Sequence, residues 1–584
     1  MRSPRSRTQS RTLCALAVAA TMAAVGHAKP TGKPQTPETS PVGEAAAAKE
    51  GAFFESMSVD VINVEVFVTD KTGTPIRNLT RDDFQILEDG RPVAISNFYS
   101  VDDAGKPPAH RVIVPPVPVP AGPEPESAQT PELPDEQRLY LIVYIDNFNI
   151  RPFNRNRVFR RIREFLDANV GAEDRVMLVT YNRSFKERVA FTTDPSLVNS
   201  ALFEIEKETG YGVHRESDRN DTLRQIEDAQ SSQQAHGAVR AYAGSLFNDT
   251  MVSIDAIKNL VGSLGGLPGR KAIVYVSEGL PMVAAEDLFQ ALNEKFRESS
   301  FLLEAREYDA SRRFQELAAQ ANANRVTFYT IDAGGLRTLS SASAERQTAG
   351  TPGMSAFIDS QNIFNMQAPL LQLAEDTGGK AIINTNDVGT QLAAIANDLR
   401  TYYSLGYQPA HVGDGRYHRI EVKVKGGKDR TLRVRHRTGY RDKPVEQRMN
   451  DGTLASLLFG ELGNPLGLTL NFGQPTRRDD GNSLVPIHLR IPLDKVTLIP
   501  QTDKHEGHLR AFIGVLDDEG GLSPVQVAPI TITIPAADIA SAREKGWGYE
   551  VTLLMRRGRQ KVAVGVRDDL GGTSSYVSGG ILVQ

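Results

Sequence analysis

Hydrophobic and polar positions follow different periods in different parts of the chain. Between residues 138 and 400, apolar runs such as Leu139–Ile145 and Ala272–Val276 alternate with stretches whose apolar residues recur at helical spacing. Continuous apolar runs are typical of parallel strands covered on both faces. A repeated strand-then-helix order predicts a parallel sheet with helices on both sides. The predicted fold class of 138–400 is therefore α/β, a doubly wound and mostly parallel sheet.

Alternating apolar and polar positions on both sides of this stretch predict strands. Segment 58–103 is predicted to form a small β-domain, and 401–442 a three-stranded β extension. Segment 455–584 shows strand patterns separated by turn residues, which predicts a C-terminal β-sandwich. A flexible lead-in at 29–57 and a Pro-rich linker at 104–137 complete the predicted organisation.

The first 28 residues have the pattern of a secretory signal peptide. Four arginines precede an apolar run from Leu13 to Val25, and Gly26-His27-Ala28 follows as a small-residue cleavage pattern. We expect cleavage after about Ala28 and a secreted or periplasmic product. An uncleaved membrane anchor is the alternative, although the run is short for a bilayer span. The single cysteine, Cys14, lies in this segment, so the mature chain would have no thiol chemistry.

Composition and charge mainly exclude certain classes of protein. A chain of 584 residues is too long for one core. Its net charge of −4 gives no argument for a nucleic-acid partner. Beyond the first 28 residues no segment has the length of a membrane span. The chain contains no phosphate-binding Gly-rich loop, no Gly-x-Ser-x-Gly elbow and no His-Glu-x-x-His motif, which favours a non-enzymatic protein.

The carboxyl ends of the predicted parallel strands carry the candidate site. Asp146 ends the first of these strands, and Glu278 follows the strand Ala272–Ser277. Ligands of open α/β sheets bind at this edge. The sequence therefore places Asp146 where a binding site would be built.

Several segments together resemble a known family. The central unit is similar to a von Willebrand factor type A domain, and the chain from 58 to 440 resembles the related family described in acidobacteria. The resemblance implies a type A fold and an exported adhesion-like or scaffold role. The segments that carry it are Leu79–Gly90, Leu139–Ile150, Pro268–Lys271, Val276–Gly279, Tyr402–Tyr407 and Thr438–Tyr440.

The resemblance also implies a Mg²⁺ site built from oxygen ligands on three loops. Asp146 matches the first ligand of the family, Thr250 matches its threonine if it lies just before a helix, and Glu278 replaces its last aspartate. Phe148 and Ile150 stand at two serine positions and cannot ligate through their side chains. The predicted metal ligands are therefore Asp146, Thr250 and Glu278, as a degenerate site.

A structural carboxylate is the alternative for Asp146. It could cap a backbone N–H, or pair with Arg151 or Arg155 in place of the ion. These arginines, with Arg157, begin a basic helix that is either a surface for another protein or a solvated helix face.

Three functions remain open from the sequence. The first is an exported, non-enzymatic binding protein that contacts another protein through the strand tips. The second is a metal-assisted hydrolase at the same edge. The third is a carbohydrate-binding cell-wall protein, in which Trp547 of the C-terminal sandwich would be a platform for a sugar.

Overall fold

The computed structural model describes residues 61–102, 138–171, 174–337, 352–425, 432–460, 462–518 and 520–584. The predicted signal peptide, lead-in and Pro-rich linker lie outside the described residues. Two compact units are distinguished, one of Asp60–Asp451 and one that contains Gly452–Gln584. In the described ranges, no helix is both long and apolar enough to cross a membrane.

The elements of the first unit follow one another in chain order. They are β1 (Ile62–Thr69), β2 (Phe84–Glu88), β3 (Arg91–Val93), β4 (Ile95–Asp102), β5 (Leu139–Asp146), α1 (Pro152–Asn169), β6 (Arg175–Tyr181), β7 (Phe185–Thr192), α2 (Pro195–Ile205), α3 (Gly212–Asp228), α4 (Ser232–Ser263), β8 (Arg270–Ser277), α5 (Glu286–Phe296), α6 (Ser300–Glu304), α7 (Ser311–Ala323), β9 (Val326–Asp332), α8 (Pro352–Asp376), β10 (Ala381–Ile382), α9 (Val388–Arg400), β11 (Thr401–Tyr407), β12 (Tyr417–Val424), β13 (Arg433–Arg435), β14 (Gly439–Arg441) and α10 (Val445–Phe459), whose last residues belong to the second unit.

Six strands of this unit form one sheet in the order β10-β9-β8-β5-β6-β7. All neighbours are parallel except β7, which runs antiparallel to β6. The chain places β6 on one side of β5 and β8 on the other, so the strand order reverses between β5 and β8. Crevices at such a reversal are the usual ligand sites of open α/β sheets. The mixed α/β class predicted from the sequence is confirmed.

Helices lie on both faces of this sheet. Leu141, Val143 and Ile145 of β5 share a core with buried residues of α1, α2 and α9. On the other face α7 and α8 pack against β9, and the Thr330 hydroxyl donates to the Leu370 carbonyl at 2.8 Å. Burial on both faces explains why the strand sequences are continuously apolar.

The strands before and after the α/β stretch combine in two further sheets. One has the order β13-β1-β11-β4 and the other β14-β12-β2-β3, and a single core contains residues of both. The predicted separation of 58–103 from 401–442 is therefore corrected, because each sheet takes strands from both segments. Local periodicity shows where strands lie but not which distant strands pair.

The second unit is built from strands with one short helix. Its elements are β15 (Thr469–Phe472), β16 (Thr476–Arg477), β17 (Ser483–Ile491), β18 (Ile499–Pro500), β19 (Lys504–Asp517), β20 (Gln526–Pro535), α11 (Ile539–Lys545), β21 (Trp547–Met555), β22 (Gly558–Asp568) and β23 (Ser574–Val583). Strands β15, β16 and β21 pair with β17, whereas β18, β20, β22 and β23 join the sheet of β19. Both sheets contribute to one core, against which Trp547 packs.

Candidate functional site

Asp146 lies at the carboxyl end of β5 and is buried. Its Oδ2 accepts hydrogen bonds from the Tyr275 hydroxyl at 2.6 Å and the Ser277 hydroxyl at 3.0 Å. Both carboxylate oxygens accept from the Asn149 amide at 2.9–3.0 Å, and Oδ1 also accepts from the Asn149 backbone N–H at 3.1 Å. Burial raises the pKa of Asp146, against the opposing effect of the hydrogen bonds from Tyr275, Asn149 and Ser277. The predicted hydrogen bond from a backbone N–H to the Asp146 carboxylate is therefore present. Among the described residues, no arginine bonds to this carboxylate.

Glu278 follows β8 and is held by Arg151. The Arg151 guanidinium donates to Glu278 from Nε at 2.9 Å and lies 2.8 Å from it through Nη2, and the Arg151 backbone N–H donates at 2.8 Å. Asn154 adds a donor at 2.9 Å. Burial lowers the pKa of Arg151, but the charges of Glu278 and Glu216 outweigh it and keep this pKa above its ordinary value. Arg151 therefore pairs with an acid at the strand tips, and that acid is Glu278 rather than Asp146.

Asp332, at the end of β9, is a third buried acid at this edge. It accepts from Arg337 at 2.8 Å and from the Gln367 amide at 2.7 Å. Sequence reasoning did not identify Asp332 as part of the site. The available signal was the same as for Asp146, an aspartate that directly ends an apolar strand.

Thr250 does not lie in front of a helix. It lies inside α4, which begins at Ser232, and its hydroxyl donates to the Leu246 carbonyl at 2.7 Å. The predicted position is therefore wrong, because the polar first half of α4 hides the helix start. A buried threonine that bonds back to the preceding turn is satisfied without a ligand.

The residues at the strand tips do not fit a Mg²⁺ site. A hard cation needs several oxygen ligands in near-octahedral geometry, whereas here the Glu278 carboxylate is taken by Arg151 and the Asp146 carboxylate by Asn149, Tyr275 and Ser277. Phe148 and Ile150 are buried, and the Phe148 ring stacks on Tyr211 with 4.9 Å between centroids. These contacts therefore do not support the predicted cation at Asp146, Thr250 and Glu278.

The arginines of α1 do not share one environment: Arg160 and Arg161 are exposed, whereas Arg155 is buried and Arg157 is half-buried. Arg155 is fully buried and donates to the Asn147 amide oxygen at 2.5 Å and to the carbonyls of Glu206 and Glu208. Arg157 donates to the Ala333 carbonyl at 2.8 Å. The prediction that Arg155 and Arg157 offer a partner surface is therefore corrected. Only Arg151 of the three faces an open space.

That space is a cavity of about 120 Å³ at the carboxyl edge of the sheet. Its wall combines polar and charged side chains with a few apolar ones: Asn149, Arg151, Gly212, Arg215, Glu216, Arg219, Tyr242, Leu246, Glu278, Pro281, Ala285, Asp287, Arg337, Asn362, Asn365 and Met366. Helix α3 supplies four of these residues.

Large apolar side chains are exposed next to the cavity along the chain. We call Phe153, Val213, Leu336 and Phe364 the apolar rim, because each lies one or two positions from a residue of the cavity wall. Phe153 is 81% exposed and Phe364 69%. Four large apolar side chains are thus exposed on segments that also line the cavity, and exposed apolar surface of this kind is typical of interaction sites.

No protein-family model matches the chain, and no curated protein does. Among solved structures, it is similar to an aerotolerance-related membrane protein from Bacteroides fragilis, at 11% identity over 45% of this chain and 98% of that one, with a TM-score of 0.21. BatB from Bacteroides thetaiotaomicron is 11% identical over 45% and 97%, with a TM-score of 0.20. The manganese-loaded TRAP protein of Plasmodium vivax is 11% identical over 52% and 93%, with a TM-score of 0.18. Similarity this low supports no argument about function, which must come from the geometry.

Proposed function

We propose that this chain is an exported, non-enzymatic binding protein with an adhesion-like or scaffold role. In this proposal residues 138–400 form a von Willebrand factor A-like domain whose cation site is degenerate, and β-strand segments precede and follow it along the chain. The strand order and the reversal between β5 and β8 are consistent with such a domain. The partner is another protein, met in the periplasm or outside the cell.

The proposal is carried by the apolar rim, four exposed apolar side chains on the same segments whose neighbouring residues, arginines among them, line the cavity. Protein interfaces combine a desolvated apolar centre with aromatic and arginine side chains, which contribute most of the binding energy. Phe153, Phe364, Arg151 and Arg215 supply these residue types at one edge of the sheet. The site thus offers both contact area and directed hydrogen-bond donors.

The same geometry gives little support to the hydrolase alternative. No histidine, serine, threonine or cysteine lines the cavity among the described residues, so the pairing of a serine, threonine or cysteine nucleophile with a histidine base is not assembled there. The acids at the strand tips are engaged by arginines or by neutral donors. The carbohydrate alternative is not favoured either, because Trp547 packs against the core of its own unit.

The proposal is tested by selecting peptides from a random displayed library on the full mature chain. Peptides that bind are then measured by fluorescence polarisation against Phe153→Ser and Leu336→Ser. We expect each rim variant to weaken binding about tenfold, which corresponds to about 1.4 kcal/mol. Leu582→Ser is the matched control, because Leu582 is 58% exposed but belongs to the second unit. Binding that is unchanged in the rim variants, or equally weakened in the control, would contradict the proposal.

A further inference from the structure

We infer that the cavity accepts a carboxylate side chain of the partner directly on Arg215, without a bridging metal ion. The inference rests on the function proposed above and specifies the chemistry of its ligand. The partner would present an aspartate or glutamate flanked by apolar residues, with the acid in the cavity and the apolar side chains on the rim.

Arg215 differs from the other arginines of the cavity wall in its charge pairing. Four arginines face three carboxylates there, those of Glu216, Glu278 and Asp287. Arg151 pairs with Glu278 and Glu216, both at 2.8 Å. Arg219 is held between Asp287 at 2.7 Å and Asp359 at 3.1 Å, and Arg337 pairs with Asp332 behind the wall. Arg215 is the arginine of this wall that has no carboxylate partner among the described residues.

The hydrogen-bond partners that Arg215 does have are weak acceptors. One terminal nitrogen donates to the Asn149 side-chain oxygen, and the other lies 3.2 Å from the Met366 sulfur. A neutral amide and a thioether are weak acceptors for a guanidinium, which pairs most strongly with a planar carboxylate through two parallel hydrogen bonds. A ligand carboxylate would therefore replace the Met366 contact with a stronger one.

Arg215 is held in place before a ligand arrives. Asn149 donates to both oxygens of Asp146 while its own oxygen accepts from Arg215. The amide thereby links the buried carboxylate at the tip of β5 to the guanidinium at the cavity. Because this orientation is set by buried groups, little side-chain entropy is lost when a carboxylate binds.

The experiment uses the peptides selected on the full mature chain, measured in a buffer with EDTA. We expect the enriched peptides to share an aspartate or glutamate, and replacing that residue with its amide to weaken binding about tenfold. In Arg215→Gln the acidic and amide peptides should bind alike, within about twofold. Arg224→Gln is the matched control, because Arg224 lies on the same helix, is 70% exposed and pairs with Asp221.

The outcomes separate this inference from the proposed function. Rim variants that abolish binding while the acid-to-amide change has no effect would overturn the carboxylate inference and leave the protein-binding proposal standing. An equal penalty for the amide peptide on wild type and on Arg215→Gln would also overturn it. So would loss of binding in EDTA, which would indicate a metal bridge. If rim variants bind like the wild type, both proposals fail. The amide peptides need no protein variant, so the test holds even if Arg215→Gln is poorly folded.

Discussion

Replacing Arg155 with alanine should destabilise the first unit strongly. This guanidinium is completely buried in α1, and its donors reach four acceptors: the side-chain oxygens of Asn147 and Asn156 and the backbone carbonyls of Glu206 and Glu208. No carboxylate pairs with it among the described residues. It therefore acts as a hydrogen-bond hub that ties the β5 loop and α1 to the end of α2.

The magnitude follows from the acceptors that the substitution leaves behind. Asn147 and the two carbonyls would each lose a buried donor, at about 1–3 kcal/mol per group. Water entering the vacated space would satisfy part of this loss. Burial also lowers the pKa of Arg155, which shows that its charge is costly to bury, and removing it gives some energy back. We expect a net loss of about 3 kcal/mol, within the range measured for single buried polar groups.

The single tryptophan makes the assay specific to each unit. Trp547 lies in the second unit, whereas α1 to α9 all belong to the first. Urea unfolding followed by far-ultraviolet circular dichroism therefore reports mainly the first unit, and fluorescence excited at the tryptophan reports the second. With a slope of about 3 kcal/mol per molar urea, the dichroism midpoint should fall by about 1 M. The fluorescence midpoint should not move.

Arg160→Ala is the control, since Arg160 is an exposed arginine of the same helix. It should change stability by no more than about 0.5 kcal/mol. If Arg155→Ala and Arg160→Ala behave alike, the argument that the buried hydrogen bonds of Arg155 stabilise the unit is refuted.

Two further predictions concern pH and backbone strain. Burial lowers the pKa of His418, but hydrogen bonds and charges from Asp89 and Asp414 outweigh it and raise this pKa above its ordinary 6.5. The stability that protonated His418 contributes is fully present below pH 6.5 and is lost as the pH rises through the raised pKa. The urea midpoint followed by dichroism should therefore fall as the pH rises from 6.5 through this pKa in wild type, and stay constant in His418→Gln. Gly279 has φ +99°, and a Cβ there would lie 2.2 Å from the Met366 carbonyl oxygen. Gly279→Ala should therefore lower the free energy of unfolding in urea by about 1–3 kcal/mol and weaken peptide binding. Wild-type values in both assays would contradict this prediction.

The parts of the fold that were predicted correctly depend on local pattern. The apolar run of β5 and the helical spacing after it are visible in a few residues, and they place Asp146 and Glu278 at strand tips. Long polar stretches at the start of a helix give no such signal. The first half of α4 therefore went unrecognised, and Thr250 was placed before a helix that already contains it.

The chemistry of the cavity depends on contacts between distant segments, which the sequence does not reveal. Arg151 pairs with an acid 127 positions away, and Arg215 lies on a helix whose apolar pattern is weak. An arginine in a run of arginines is more often solvent-exposed than buried, so Arg155 gave no sign of its burial. Only the folded chain shows which arginine has a carboxylate and which does not.

The interleaved strands of the first unit constrain the order in which the chain can fold. Thr401 of β11 bonds to Asp102 of β4 across 299 positions, and both outer sheets take strands from each end of that interval. Contacts this distant in sequence are slow to form, because a long loop must close first. The α/β stretch can assemble as its own strands emerge, whereas β1 and β4 must wait for β11 with their edges unpaired. A chain that ends before residue 401 would leave those edges open, and truncated products should aggregate rather than accumulate as folded fragments.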